Sequence, residues 1–282
     1  MKFNRFVNLN DVDRGGNSPL HIAAKTGRAH NVELLLRTAK DKSESNDIED
    51  ETVNNTFGLA SINRMNKTRF YPVHLAVLEN HLNCLEILVE YGANVEVPTS
   101  TASGKLTPLM LACQKGYLDI VKYLIEHGAK IENRDRFKRT PLIHACMCGN
   151  AHIVSYLLRM GANANVFDSS LNTALHYSIA YGWYFCVQLL IEAGADINCA
   201  NSWQTTCLAA GFLKGHYGLC DYLLTNHSVN INFQTDDGLT LVMLTVGLPI
   251  TAAVVEQLEY VVVKHKADCT TIDTSGNNAV CK

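Results

Sequence analysis

The sequence lacks an excess of charge of either sign, and it has little proline. Its 282 residues include 6 prolines, and 24 lysines and arginines nearly balance 27 acids, for a formal net charge of −3. Such a balance gives no global field for a polyanion, which disfavours nucleic acid as a partner. The uncharged stretch 239–255 is short and contains Gly247 and Pro249, so it predicts a split core helix and no membrane association.

A secretory signal and a disulfide framework are also missing. The first residues, MKFNRFVNLN, contain no apolar run, so we expect a cytoplasmic or nuclear protein. The 10 cysteines are spread singly along the chain, a pattern typical of reduced thiols. We expect Cys113 and Cys146 to be small core residues and Cys148 to be the candidate reactive thiol.

Signatures of catalysis are absent as well. There is no GxSxG, HExxH, GxxxxGK[ST] or GxGxxG after a predicted strand. DVDRGG (11–16) imitates the opening of a calcium loop, but Ile22 stands where the closing glutamate is needed. His144, Cys148 and His152 are spaced by four, yet Gly149 interrupts the helix that would align them for zinc. We therefore expect no enzyme activity, no cofactor, no metal and no small-molecule substrate.

What the sequence does contain is a repeat of 33 residues. Threonines recur at this interval, and so do two series of glycines. Four of the 6 prolines also share one position of the repeat. The threonines are Thr107, Thr140, Thr173 and Thr206, the first glycines are Gly116, Gly149, Gly182 and Gly215, and the second glycines are Gly128, Gly161 and Gly194, with His227 in the fourth position.

Each repeat predicts two helices and a turn. A serine or threonine before proline begins a short first helix, and a glycine ends it because the backbone there must be left-handed. The second helix, for example 118–128, has apolar residues at three- and four-residue intervals. A segment rich in Asn, Asp and Ser, such as 161–172, then predicts a projecting β-turn finger.

The TPLxxA, GxxxIVxxLL and GAxIN elements resemble the ankyrin repeat family over nearly the whole chain. This resemblance implies an all-α repeat solenoid of stacked helix–turn–helix units with β-turn fingers. Packing agrees, because one short helix pair cannot bury its apolar stripe alone. His21, His74 and His176 fall in the TPLH position, where the resemblance implies that the imidazole bridges backbone groups of neighbouring repeats.

We expect one array of about seven repeats. Residues 270–282 are interpreted as the start of a truncated eighth repeat, so we expect further sequence beyond Lys282 in the parent protein. Gly211 replaces a packing alanine and Pro249 takes a glycine position, which predicts that the sixth and seventh repeats are the least regular. The repeats span residues 13–39, 67–97, 102–133, 135–166, 168–199, 201–233 and 235–269.

Residues 40–66 are predicted to be a loop insertion between the first two repeats. Its first twelve residues hold six acids and two lysines. Two interpretations stay open, a solvated insertion or a regulatory segment in which Ser43 and Ser45 are phosphorylated. A further hypothesis is that the acidic residues 41–51 cover a basic finger until they are displaced.

The resemblance also implies a binding surface on the concave side, formed by finger residues and by residues ahead of the first glycine. The repeat positions give the candidate partner-binding residues Gln114, Lys115, Arg136, Phe137, Arg139, Met147, Tyr181, Trp203 and Lys214. Phe137, Met147, Tyr181 and Trp203 are interpreted as one patch, since aromatic residues and Met are enriched at interface cores. In the alternative, Trp203 packs against its own turn and Phe137 against the next finger.

The finger RDRFKR (134–139) favours an acidic partner. Residues 102–140 hold eight lysines and arginines against four acids, and such a patch steers an oppositely charged segment. We expect a protein–protein interaction module in an adaptor or scaffold role that binds a protein or extended peptide. The alternative is an accessory recognition region of a larger enzyme or channel, for example a poly-ADP-ribosylating enzyme, with catalysis elsewhere.

Overall fold

The computed structural model describes residues 11–44, 62–247 and 252–279. In these ranges the protein is helical, and β-structure is limited to two isolated bridges. A π-helical segment, Tyr260–Lys264, follows the last helix. The prediction of an all-α repeat solenoid is confirmed. The helix pairs are α1 (Pro19–Lys25) and α2 (Ala29–Glu44), α3 (Pro72–Leu78) and α4 (Leu82–Glu90), α5 (Pro108–Lys115) and α6 (Leu118–Glu126), α7 (Pro141–Met147) and α8 (Ala151–Arg159), α9 (Ala174–Ala180) and α10 (Tyr184–Glu192), α11 (Cys207–Leu213) and α12 (Tyr217–Asn226), and α13 (Leu241–Val246) and α14 (Ala252–Glu259).

The chain forms two compact units, Met1–Pro141 and Leu142–Lys282. Most first helices begin at hydroxyl caps in both units, and α3, which follows Tyr71, is an exception. Thr107 Oγ1 accepts the backbone N–H of Met110 at 3.3 Å in the first unit, and Thr206 Oγ1 accepts that of Ala209 at 3.2 Å in the second. These bonds satisfy N–H groups that have no partner inside the helix.

Left-handed residues end the first helices of the first six repeats, as the glycine spacing predicts. Gly116 has φ 82° and Gly182 has φ 74°, while Asn80 takes φ 59° in the second repeat. The sixth repeat differs at the end of its second helix, where His227 stands in the glycine position. His227 is extended, with φ −136°, and α12 has 10 residues whereas α10 has 9. A side chain disfavours the left-handed conformation. Helix α12 therefore ends one residue later than α10 does, and no left-handed residue follows it.

Two TPLH histidines, His21 and His176, bridge neighbouring repeats as the resemblance implies, whereas His74 bonds to the last residue of its own repeat. His74 Nε2 lies 2.9 Å from the Val97 carbonyl and His176 Nε2 lies 3.2 Å from the Thr205 carbonyl. In both rings Nδ1 accepts a backbone N–H, so Nε2 carries the proton. Burial lowers the pKa of His74 to about 4, because a charged imidazole would lose its hydration.

The core consists of aliphatic side chains and small thiols. Cys113 and Cys146 are fully buried, as predicted. Burial raises the pKa of Cys186 to about 11 and that of Cys220 to about 12, so these thiols are inert core residues. Gly211 is explained by close packing, since a Cβ at this position would lie 2.6 Å from Cys220 Sγ.

Helix α2 extends to Glu44, five residues beyond the predicted end of the first repeat at residue 39. Ser43 therefore lies in the helix. Most of the predicted insertion, with Ser45 and most of the acidic stretch 41–51, lies outside the described residues. Where the insertion rejoins the fold, Ile62 is 1% exposed and belongs to the core.

The uncharged stretch 239–255 contributes to two short helices, α13 and α14, rather than to one long helix. Pro249 lies outside the described residues. No helix in the described part of the chain has both the length and the apolar character needed to cross a membrane.

Candidate partner-binding surface

The fingers are compact turns built around one side-chain oxygen. In the second unit, Asp168 Oδ1 accepts the backbone N–H groups of Ser170 at 2.8 Å and Asn172 at 2.9 Å. Asn201 Oδ1 does the same for Trp203 and Thr205, both at 3.0 Å. These bonds close each turn, and residues 169–171 and 202–204 form the two tips.

Adjacent fingers within a unit are joined through their backbones. Arg136 N donates to Gly104 O at 3.0 Å in the first unit. Ser202 N donates to Ser170 O at 2.9 Å, and Thr274 N donates to Asp237 O at 2.9 Å, in the second. Since both the turns and their connections are hydrogen-bonded, the finger tips form a pre-organised surface, which lowers the entropic cost of binding.

Phe137 stacks between two arginines of its own finger in the first unit. The guanidinium carbons of Arg136 and Arg139 each lie 4.7 Å from the ring centroid, and Phe137 remains 43% exposed. Arg139 Nε and Nη2 both lie 2.8 Å from Oδ2 of Asp135, whose side chain is fully buried. Arg139 therefore holds the finger in shape, whereas Arg136 and Phe137 are presented to solvent.

The exposed charge around this finger is basic. Asp135 is buried and paired, so it does not offset the lysines and arginines that face solvent. Lys115 is exposed at the end of α5, and Gln114 beside it is half-buried. The exposed basic residues on the two adjoining fingers are Lys105, Arg134, Arg136 and Lys138.

Among the candidate binding residues of the second unit, the exposed aromatic ones are Trp203 and Tyr181. Trp203 is 67% exposed at the tip of its finger, and no described ring or cation stacks on it. Tyr181 is 50% exposed at the end of α9 and stacks on Tyr177, with ring centroids 6.4 Å apart. Met147 is half-buried and Lys214 is exposed. Phe137 belongs to the other compact unit, so its place in one patch with these residues stays a prediction.

Trp183 is a structural residue that the sequence reasoning missed. Its ring lies over the turn of the preceding repeat, where a Cβ on Gly149 would be 2.5 Å from it. Its Nε1 donates to the Met147 carbonyl at 3.4 Å. His216, one repeat later, lies 3.1 Å from the Ala180 carbonyl. The 33-residue step from Trp183 to His216 is the sequence signal for this role.

His176, Cys199 and Cys207 form a cluster that the sequence reasoning also missed. Among the described residues, this is the group of three possible metal ligands whose ligand atoms all lie within 4.8 Å of one another. His144, Cys148 and His152 are not gathered in this way, and Cys148 is exposed. His176 Nδ1 already accepts the Thr173 N–H at 3.2 Å, so metal binding there would break the cap of α9.

Comparison with known proteins identifies the repeat. Family profiles of the ankyrin repeat match residues 15–47, 45–135 and 130–201. Poly [ADP-ribose] polymerase tankyrase of Caenorhabditis elegans is 39% identical over 267 residues, which are 92% of this chain and 12% of that protein. The nuclear factor NF-kappa-B p105 subunit of Rattus norvegicus is 34% identical over 89 residues, which are 32% of this chain and 7% of that protein.

A solved structure is similar over most of the chain. It is the crystal structure of the human ASB11 ankyrin repeat domain, with a TM-score of 0.67 and 25% sequence identity. The match covers 86% of this chain and 98% of that domain. By contrast, the chain spans only a small part of the two curated relatives.

Proposed function

Since the chain belongs to the ankyrin repeat family of protein-interaction modules, we propose that its finger surface holds an acidic, partly apolar segment of a partner protein. In this proposal the chain acts as an adaptor or scaffold. In the second unit Trp203 and Tyr181 supply apolar contacts, together with Met147, and in the first unit the basic finger 134–139 is a charged contact surface of its own. The proposal places the protein in the cytoplasm or nucleus.

The observation that carries this proposal is the exposure of Trp203 on a hydrogen-bonded finger. A tryptophan that is 67% exposed contributes little to the fold. Tryptophan, tyrosine and arginine are the residues that dominate measured binding hot spots. An exposed tryptophan on a rigid turn therefore favours a role in binding.

The charge of the partner is inferred from the first unit. Arg136 and Lys138 are exposed, whereas the acid of the same finger, Asp135, is buried against Arg139. Exposed charges of one sign raise the association rate of an oppositely charged segment. An acidic segment is therefore favoured over a basic one, and a small-molecule substrate is not part of this proposal.

A second candidate function is suggested by the similarity to tankyrase, of which this chain matches 12%. The array would then be the accessory recognition region of a larger enzyme, with catalysis in another part of the chain. The ankyrin repeat itself is a non-catalytic module, so the same surface would select the partner in both cases. Sequencing the transcript beyond Lys282 separates the two, because only the second predicts a catalytic domain.

The test is selection from a displayed peptide library with the chain as bait. Wild-type protein is expected to enrich peptides rich in Asp and Glu with interspersed apolar residues. Trp203→Ala is expected to lower the affinity for the selected peptides by tenfold or more, which corresponds to a loss of at least about 1.4 kcal/mol of binding free energy. Phe185→Ala is the matched control, because Phe185 is 72% exposed on α10, outside the predicted surface. The measurement is a titration of each selected peptide.

Charge is tested in the same titrations. Lys138→Glu is expected to lower the association rate and to flatten its dependence on salt, because it reverses a charge on the basic finger. Lys130→Glu changes the net charge equally at an exposed position outside the finger. The proposal is wrong if Phe185→Ala weakens binding while Trp203→Ala does not, or if the selected peptides carry no acidic bias.

A further inference from the structure

The sixth finger is flanked by two cysteines that face each other. Ala200 and Thr206 form an isolated antiparallel bridge at the base of the finger. Cys199 and Cys207 are the next pair in the same register, one residue outside the bridge on each side. Their sulfur atoms lie within 4.8 Å of each other. Directly opposed residues of antiparallel segments lie about 4.5–5.5 Å apart at Cα, which is within the range that a disulfide spans.

The two thiols have different surroundings. Cys199 is partly exposed, and Cys207 is fully buried. Cys199 Sγ lies 3.0 Å from the Asp196 carbonyl and 3.9 Å from both His176 Nδ1 and Thr173 Oγ1. An accessible thiol with a buried thiol behind it is the arrangement in which the first reacts and the second resolves the product.

The pKa values of the two thiols also differ, and the more exposed thiol has the lower pKa. The hydrogen bond from Cys207 lowers the pKa of Cys199 to about 5. Burial raises the pKa of Cys207 well above its usual value. The thiolate is the nucleophile in sulfur chemistry. Cys199 is therefore the attacking sulfur, and Cys207 keeps its proton until it is needed.

We propose that Cys199 and Cys207 are a redox-sensitive pair that hydrogen peroxide converts into a disulfide across the base of the sixth finger. In the first step the Cys199 thiolate attacks one peroxide oxygen, so an S–O bond forms, the O–O bond breaks and hydroxide leaves. In the second step Cys207 loses its proton to that hydroxide and attacks Cys199 Sγ, so the S–S bond forms and hydroxide leaves from sulfur. With the proton taken up, two thiols and one peroxide give one disulfide and two waters.

The disulfide would act on the part of the molecule that carries Trp203. Residues 200–206 become a covalently closed loop, and Trp203 is at its tip. A thiol reductant reverses the step by exchange. The oxidation state thereby couples to the presentation of Trp203, while the reaction itself requires no partner and can be measured whether or not the proposed binding function holds.

The experiment treats the whole chain with one equivalent of hydrogen peroxide, blocks the remaining thiols with N-ethylmaleimide and maps the peptides by mass spectrometry. In wild-type protein the residues that escape blocking are expected to be Cys199 and Cys207, joined to each other. Dithiothreitol is expected to return both to the blockable form.

Three variants assign the steps. Cys199→Ser is expected to abolish oxidation of Cys207. Cys207→Ala is expected to stop the reaction at the sulfenic acid of Cys199, which dimedone traps. The alanine matches Ala174, which holds the same position one repeat earlier and is 1% exposed. Cys148→Ser is the control, since Cys148 is exposed, and it is expected to leave the disulfide unchanged.

Two results would overturn the proposal. One is that peroxide oxidises Cys148 before Cys199. The other is that dimedone traps Cys199 equally in wild type and in Cys207→Ala, since Cys207 would then not resolve the sulfenic acid. Circular dichroism of each variant before treatment tests whether the variant is folded. If Cys207→Ala is unfolded, Cys207→Ser takes its place in the same comparison.

Discussion

Buried histidines make the stability of single repeats depend on pH. His74 is fully buried and neutral, with Nε2 donating to the Val97 carbonyl. Its pKa falls from 6.5 to about 4 on folding. The unfolded chain therefore binds more protons between these values, so stability is complete above pH 6.5 and is lost as the pH falls toward 4. His21, in the same position of the first repeat, also has a pKa lowered by burial.

The prediction is a loss of unfolding free energy between pH 7 and pH 5, of roughly 2 kcal/mol from His74 alone. Urea unfolding at the two pH values measures it. His74→Gln is expected to reduce this difference, because glutamine does not titrate. His30→Gln is the control, since His30 is exposed on α2 and should leave the difference as it is. An unchanged difference in His74→Gln would contradict the assignment.

The sequence predicts residues of this kind well when the repeat itself gives them a role. His21 and His176 bridge repeats as the family resemblance implies. Trp183 and the Cys199–Cys207 pair were missed, because their partners are set by where the side chains point. Trp183 bonds to Met147, one repeat back, and the sequence signal for this contact is the 33-residue step to His216 rather than any local motif. The cysteines face each other only because the finger between them closes.

At the scale of elements, the helices follow from apolar spacing and from caps. Their starts are predicted well, because a serine or threonine cap, with proline after it in three repeats, is a strong signal for the first turn of a helix. Their ends depend on glycine, and the two departures arise where glycine is absent. The first repeat has Ala39 where later repeats have the second glycine, so nothing ends the helix there and α2 continues to Glu44. In the sixth repeat His227 replaces the glycine and α12 ends in an extended residue.

Helix α11 offers a test of packing at this scale. Gly211 lies inside the helix, where alanine is normally favoured by about 1 kcal/mol. A Cβ there would lie 2.6 Å from Cys220 Sγ and 2.9 Å from Ile179 Cγ2. Overpacking of this kind costs about 1–3 kcal/mol. Gly211→Ala is therefore expected to lower the unfolding free energy, in spite of its better helix propensity.

The comparison variant is Cys220→Ala, which removes the nearer of the two obstructing atoms. In the double variant, Gly211→Ala should lower the unfolding free energy by less than it does alone. The two substitutions should therefore show a favourable coupling energy in a double-mutant cycle measured by denaturant unfolding. Strict additivity would show that the sulfur of Cys220 does not restrict this position.

At the scale of the whole molecule, stability in a repeat array is the sum of repeat stabilities and nearest-neighbour contacts. The seventh repeat, at the end of the second unit, departs from the regular helix pair. Its last helix passes into the π-helical segment Tyr260–Lys264. His265 Nε2 and Thr271 Oγ1 are buried without a hydrogen-bond partner among the described residues. Buried polar groups without a partner each cost about 1–3 kcal/mol.

Within the second unit, the rates of native-state amide hydrogen exchange should therefore increase from the fifth repeat to the seventh. Amides of α9 and α10 are expected to exchange slowly, through opening of the unit. Amides of α13 and α14 should exchange faster, through local opening that leaves the fifth repeat intact. Mass spectrometry of peptides from a timed exchange series measures the gradient. Because repeats support their neighbours, Gly211→Ala should speed exchange in α13 more than in α9, and equal rates throughout would mean that the unit opens as one cooperative block.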